Sequence, residues 1–114
     1  MIKSFKVGLP VVRIVKMTFM EGNTEIFLQL FGEVRNHILL SRGCLKLDLF
    51  RDAGDINIFY TISEWESEED LEAYRSSALF DETWKKVKAL FAGKPEAWSL
   101  REEGGADQKV SPSS

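Results

Sequence analysis

Cysteine and histidine occur once each, as Cys44 and His37, so no internal disulfide staples the chain and no His/Cys set stands at metal-ligand spacing. Such sparing cysteine use points to a reducing, cytoplasmic setting. A surplus of basic charge is also missing. Lys and Arg number 15 against 18 Asp and Glu, a formal charge of -3, with no basic stripe to neutralise phosphates, which argues against a nucleic-acid partner. Long apolar runs are absent as well. Nothing approaches the roughly 20 residues that cross a bilayer, and Met1 to Pro10 lacks the apolar stretch of a secretory signal, so the expectation is a soluble protein with no membrane partner.

What is present fits one globular domain. A chain of 114 residues is too short for two, yet long enough to bury a single core without disulfides or metal. Residues 1–10 read as an N-terminal extension set off by Pro10, residues 11–102 as the domain, and residues 103–114 as a tail expected to be disordered. That tail carries one aliphatic side chain of any size, too little apolar surface to offset the entropy of ordering it.

The domain alternates two periodicities. Val11 to Phe19, rich in β-branched residues and stopped by Glu21-Gly22-Asn23, predicts a strand. From Thr24 onward Ile26, Phe27, Leu30, Phe31, Val34 and Ile38 recur at helical spacing, with Asn23 placed to cap the helix and Gly43 to end it in a left-handed conformation. Cys44 to Arg51 and Asn57 to Trp65 follow as strands around the turn-rich Asp52-Ala53-Gly54-Asp55, which predicts an antiparallel hairpin. Ser67 opens a second helical region that breaks near Ser76-Ser77. Its longer part places Leu79, Phe80, Thr83, Trp84, Val87, Leu90 and Phe91 on one face, until Gly93 and Pro95 stop it. Glu96 to Arg101 is the last strand. The order β-α-β-β-α-β predicts an α+β, ferredoxin-like fold with helices on one face of an antiparallel sheet.

A sheet covered on one side should alternate apolar and polar residues, but Ile58 to Ser63 is apolar or uncharged at both parities. On the second strand Leu45, Leu47 and Leu49 are expected on one face, with Cys44 and Phe50 on the other. Both faces want cover. The simplest cover for the face the helices do not reach is the same sheet of a second copy, so the expectation is a homodimer closed as a dimeric α/β barrel.

The stretches Val-Arg-Ile-Val-Lys-Met-Thr-Phe (12–19), Gly-Cys-Leu (43–45), Trp-Glu-Ser-Glu-Glu-Asp-Leu-Glu-Ala-Tyr (65–74) and Leu-Phe-Asp-Glu-Thr-Trp (79–84) resemble the antibiotic biosynthesis monooxygenase family, over about residues 11–101. The resemblance implies the same dimeric barrel. It also implies oxygenation of a quinol, phenol or polyketide-like aromatic by O2 without flavin, haem or metal. A pocket between helices and sheet would hold the substrate anion with polar donors and keep water away. An alternative remains a non-catalytic dimeric barrel that binds a small apolar ligand.

The parity of Trp65 puts Phe59, Thr61 and Ser63 with it on the helix side, and the family register does the same for Arg13, Val15, Met17 and Phe19. Trp65 would donate its indole N–H to a substrate oxygen or else pack as core. Thr61 falls where some polyketide-oxidising relatives carry asparagine. His37 is the natural general base, or a boundary residue suited to a helix C-terminus. Tyr74, Phe80 and Trp84 would clamp a flat substrate, or serve as core. Arg13, a charge on a helix-facing strand position, needs a carboxylate, for which Asp48 is the candidate, a substrate anion or water.

The acids from Glu64 to Asp70 are a solvated helix start, Ser76 and Ser77 a helix break and cap, and Cys44 a small hydrophobe. Haem-degrading members of the same superfamily use an asparagine, a tryptophan and a histidine at positions that here read Val15, Trp65 and Trp84. The histidine ligand is missing, which argues against haem.

Overall fold

A computed structural model describes residues 9–103, which run β1 (Val11–Thr18), α1 (Thr24–Leu39), β2 (Cys44–Arg51), β3 (Ile58–Trp65), α2 (Glu68–Arg75), α3 (Ala78–Lys88) and β4 (Glu96–Leu100). The extension before Leu9 and the tail from residue 104 lie outside the described residues. All strand pairs are antiparallel and the sheet order is β2-β3-β1-β4, the ferredoxin-like α+β arrangement. No described helix is long and apolar enough to cross a membrane.

Local chemistry sets most boundaries. Gly22 (φ 94) turns the chain out of β1 and Gly43 (φ 82) turns it into β2, both in the left-handed region that favours glycine. A Cβ at position 43 would also collide with the Asp70 side chain. The Ser67 hydroxyl accepts the Asp70 N–H at 3.1 Å to start α2, and the Ser77 hydroxyl accepts the Phe80 N–H at 3.1 Å to start α3. The break at Ser76-Ser77 is therefore two caps back to back.

Four expectations are corrected. Asn23 occupies the N-cap of α1 but makes no side-chain cap bond; its Nδ2 donates instead to the Leu90 carbonyl at 3.2 Å, tying the start of α1 to the end of α3. The last helix stops at Lys88, short of Leu90 and Phe91. There the backbone bonds across to β1: Met20 N–H to the Leu90 carbonyl at 3.0 Å and Ala92 N–H to the Thr18 carbonyl at 2.8 Å, with Phe91 bridged to Phe19. In β2, a register shift between Cys44 and Lys46 breaks the alternation expected of the strand. Cys44 joins the helix-side core, while Leu45 is 51% exposed, because an extra residue on one strand flips parity. Finally, β1 lies between β3 and β4, so Arg13 does not neighbour Asp48, whose carboxylate stands 3.6 Å from Lys46.

The core lies between helices and sheet. Phe19, Phe27 and Phe59 form its dense end, with ring centroids 4.4 Å apart for Phe19–Phe27 and 5.3 Å for Phe27–Phe59. Ile38, Leu47 and Val87 extend it. On the opposite face the register lines up Asp48, Ile62, Ile14 and Trp98 in one row and Phe50, Tyr60, Lys16 and Glu96 in the next. Phe50, Trp98 and Leu100 are 51%, 43% and 48% exposed there.

Candidate functional site

The sheet register builds the floor of a cavity from four strands. Leu47, Ser63, Arg13 and Ser99 stand side by side in one row, and Leu49, Thr61, Val15 and Ala97 in the next. Above this floor Leu30, Phe31, Val34 and Ile38 of α1 face Phe80, Thr83, Trp84 and Val87 of α3. The space enclosed is about 310 Å³, at the lower end of the roughly 300–1,000 Å³ usual for small-molecule sites. Walls from α1 and α3 are apolar apart from Thr83; the other polar groups come from the floor and from Tyr74 and Arg75 of α2.

Nine of the eleven residues singled out from the sequence line this cavity: Arg13, Val15, Met17, Thr61, Ser63, Trp65, Tyr74, Phe80 and Trp84. Two do not. His37 is exposed in the last turn of α1, because its neighbour Ile38 points into the cavity and the helix turns each successive side chain about 100° away. Its expected place as a base beside the substrate is not met. Phe59 lies one row beyond Thr61, where Phe19 and Phe27 fill the space, so it is core rather than lining. The Arg51 guanidinium caps its ring at 4.4 Å.

Trp65 is 1% exposed and its indole Nε1 donates to the Ser63 hydroxyl at 3.0 Å. The N–H expected to meet a substrate is therefore already engaged by Ser63. Ser63, accepting from the indole, keeps a hydroxyl hydrogen to donate. The Trp65 ring stacks on Tyr74 at 5.0 Å, Tyr74 meets Phe80 edge-on at 5.3 Å, and Phe80 stacks on Trp84 at 5.8 Å. These aromatics form one continuous wall. Burial, with Cys44 nearby, pushes the Tyr74 hydroxyl up to about 12, so it is a neutral donor at ordinary pH.

Arg13 donates to the Ser99 hydroxyl at 2.9 Å. Burial lowers its pKa, repulsion from Arg75 adds to that effect, and Glu72 opposes it. A guanidinium starts so high that the group stays protonated. The α1 residues and Leu47 were legible only as core, since an apolar side chain facing a gap reads the same as one facing a neighbour. Arg75 carried no signal beyond following Tyr74.

Fold and site together define a ferredoxin-like domain with a small, mostly apolar cavity between sheet and helices. The chain belongs to the antibiotic biosynthesis monooxygenase family, whose sequence profile matches residues 10–86. Solved structures share its fold. A conserved protein from Methanosarcina mazei is 18% identical with a TM-score of 0.80, over 88% of this chain and 99% of that one. A candidate antibiotic biosynthesis monooxygenase from Nitrosomonas europaea is 17% identical with a TM-score of 0.79, over 88% and 96%. A Pseudomonas aeruginosa protein is 22% identical with a TM-score of 0.75, over 86% and 98%. No curated protein sequence is significantly similar to this chain.

Proposed function

We propose that this protein is a cytoplasmic, homodimeric, cofactor-independent monooxygenase acting on a small aromatic diol or related phenol. The observation that carries the reading is an apolar cavity whose floor presents two hydroxyls, Ser63 and Thr61, beside the guanidinium of Arg13. Family membership supports the reaction class.

In this reading the hydroxyls donate to the phenolic oxygen and Arg13, directly across from Ser63, favours its ionised form. The aromatic wall holds the ring flat and excludes water. The anion then reduces O2: a hydroquinone and O2 give a hydroxyquinone and water, all four electrons coming from the substrate. No base is placed for the proton among the described lining residues. Tyr74 is held neutral, Arg13 and Arg75 are cations, and Glu96 sits exposed at the strand edge. The substrate's own acidity, with water as acceptor, would serve instead.

That same lack of a base favours a second reading, a non-catalytic dimeric barrel that binds a small apolar ligand. Oxygen uptake with a panel of hydroquinones separates the two. The oxygenase reading expects consumption well above buffer, lowered at least tenfold in Ser63→Ala with Thr61→Val, and unchanged in His37→Ala. No consumption with any hydroquinone of the panel, alongside tight binding of the same compounds, favours the binder.

A further inference from the structure

Two guanidiniums line the cavity, and only one carboxylate answers them. Arg75 pairs with Glu72 on its own helix, Nη1 to Oε2 at 3.0 Å. Arg13 has no carboxylate at ion-pair distance among the described residues and bonds only to the neutral Ser99 hydroxyl. Glu72 itself does not line the cavity; Glu96, the acid that does, is exposed and stands opposite Lys16, at the parity of the outer sheet face. The cluster Arg13, Arg75 and Glu72 thus carries one net positive charge beside an apolar space. A half-buried cation without a counter-charge is unfavourable, and an anionic ligand would relieve it.

We propose that the cavity selects a monoanionic aromatic carboxylate, its ring against Phe80 and Trp84 and its carboxylate facing Arg13 and Arg75. A guanidinium presents parallel donors that match the two oxygens of a carboxylate, whereas a single phenolic oxygen is better matched by the hydroxyls of Ser63 and Thr61. The reacting oxygen is then held by Ser63 and Thr61, and Arg13, directly across from Ser63, serves both that oxygen and the carboxylate it shares with Arg75. The inference rests on reading this cavity as a ligand site, and not on the oxygenation step.

The test is calorimetry under anaerobic buffer with 2-naphthoate and the neutral 2-naphthamide. Wild type is expected to bind the acid at least tenfold more tightly than the amide. Arg13→Gln should bring that ratio close to one while keeping the amide affinity, which shows the cavity intact. Arg75→Gln, at an exposed position, should lower the ratio in part. Equal affinities in wild type, failure to bind either compound, or a ratio unmoved by Arg75→Gln overturns the proposal. Oxygen uptake at equal rates from neutral and carboxylated hydroquinones would overturn it while leaving the oxygenase reading; acid-selective binding without uptake would do the reverse.

Discussion

The bond from the Trp65 indole to Ser63 joins two buried groups, and its loss should be measurable from either side. Ser63→Ala strands a buried N–H, which costs about 1–3 kcal/mol. Trp65→Phe removes the donor and leaves a small void, with a loss of similar size. In a urea-denaturation cycle the double variant should be less destabilised than the sum of the singles, since the second change removes an interaction already gone. Tyr74 gives a test by pH. Its hydroxyl titrates near 12 in the folded protein and near 10 when unfolded, so between those values the folded state binds more protons. Stability is therefore expected to fall as pH rises from 10 to 12, by roughly 2–3 kcal/mol from this group. Tyr74→Phe should lose that alkaline slope in denaturation curves collected across the range. The contrast between Trp65 and His37 shows what single positions reveal. Strand parity placed Trp65 because period 2 admits two faces, whereas one helical step carried His37 out of the site.

Among the elements, α3 carries the most for its length. Its 11 residues hold Phe80 and Trp84 in the wall, and its start depends on Ser77, which both accepts the Phe80 N–H and donates to the Tyr74 carbonyl at 2.6 Å. Ser77→Ala is expected to lower stability by about 1 kcal/mol in urea denaturation and to weaken aromatic ligand binding, because the cap also fixes the angle between α2 and α3. The number, type and order of elements were legible from apolar period and from glycine and serine punctuation. Three features were not. The bulge in β2 depends on pairing with β3, the early stop of α3 on bonds to the end of β1, and the side-chain role of Asn23 on the Leu90 carbonyl; each is settled by a partner distant in sequence. The cavity was half legible for the same reason. Its strand floor follows from alternation, but whether the α1 stripe meets atoms or space depends on how far α1 stands from α3.

At the scale of the whole molecule, the outer sheet face exposes Phe50, Trp98 and Leu100 around half-buried Ile14 and Ile62. Burial of each large apolar side chain is worth roughly 1.5–3 kcal/mol, enough in sum to drive self-association through this face. The expected outcome in sedimentation equilibrium is a dimer for the wild type and a monomer for Trp98→Asp, with the cavity on the other side of the sheet left intact. The position of β1 has a different consequence. It is the first of the described strands, yet both its neighbours, β3 and β4, come later, and β4 is the last described element. During synthesis the β2–β3 hairpin has its partner at once, while β1 must wait for nearly the whole domain to emerge before its second edge is closed. A nascent chain ending before Glu96 would leave that edge unpaired and the cavity without Ala97, so the pocket is complete only when β4 docks.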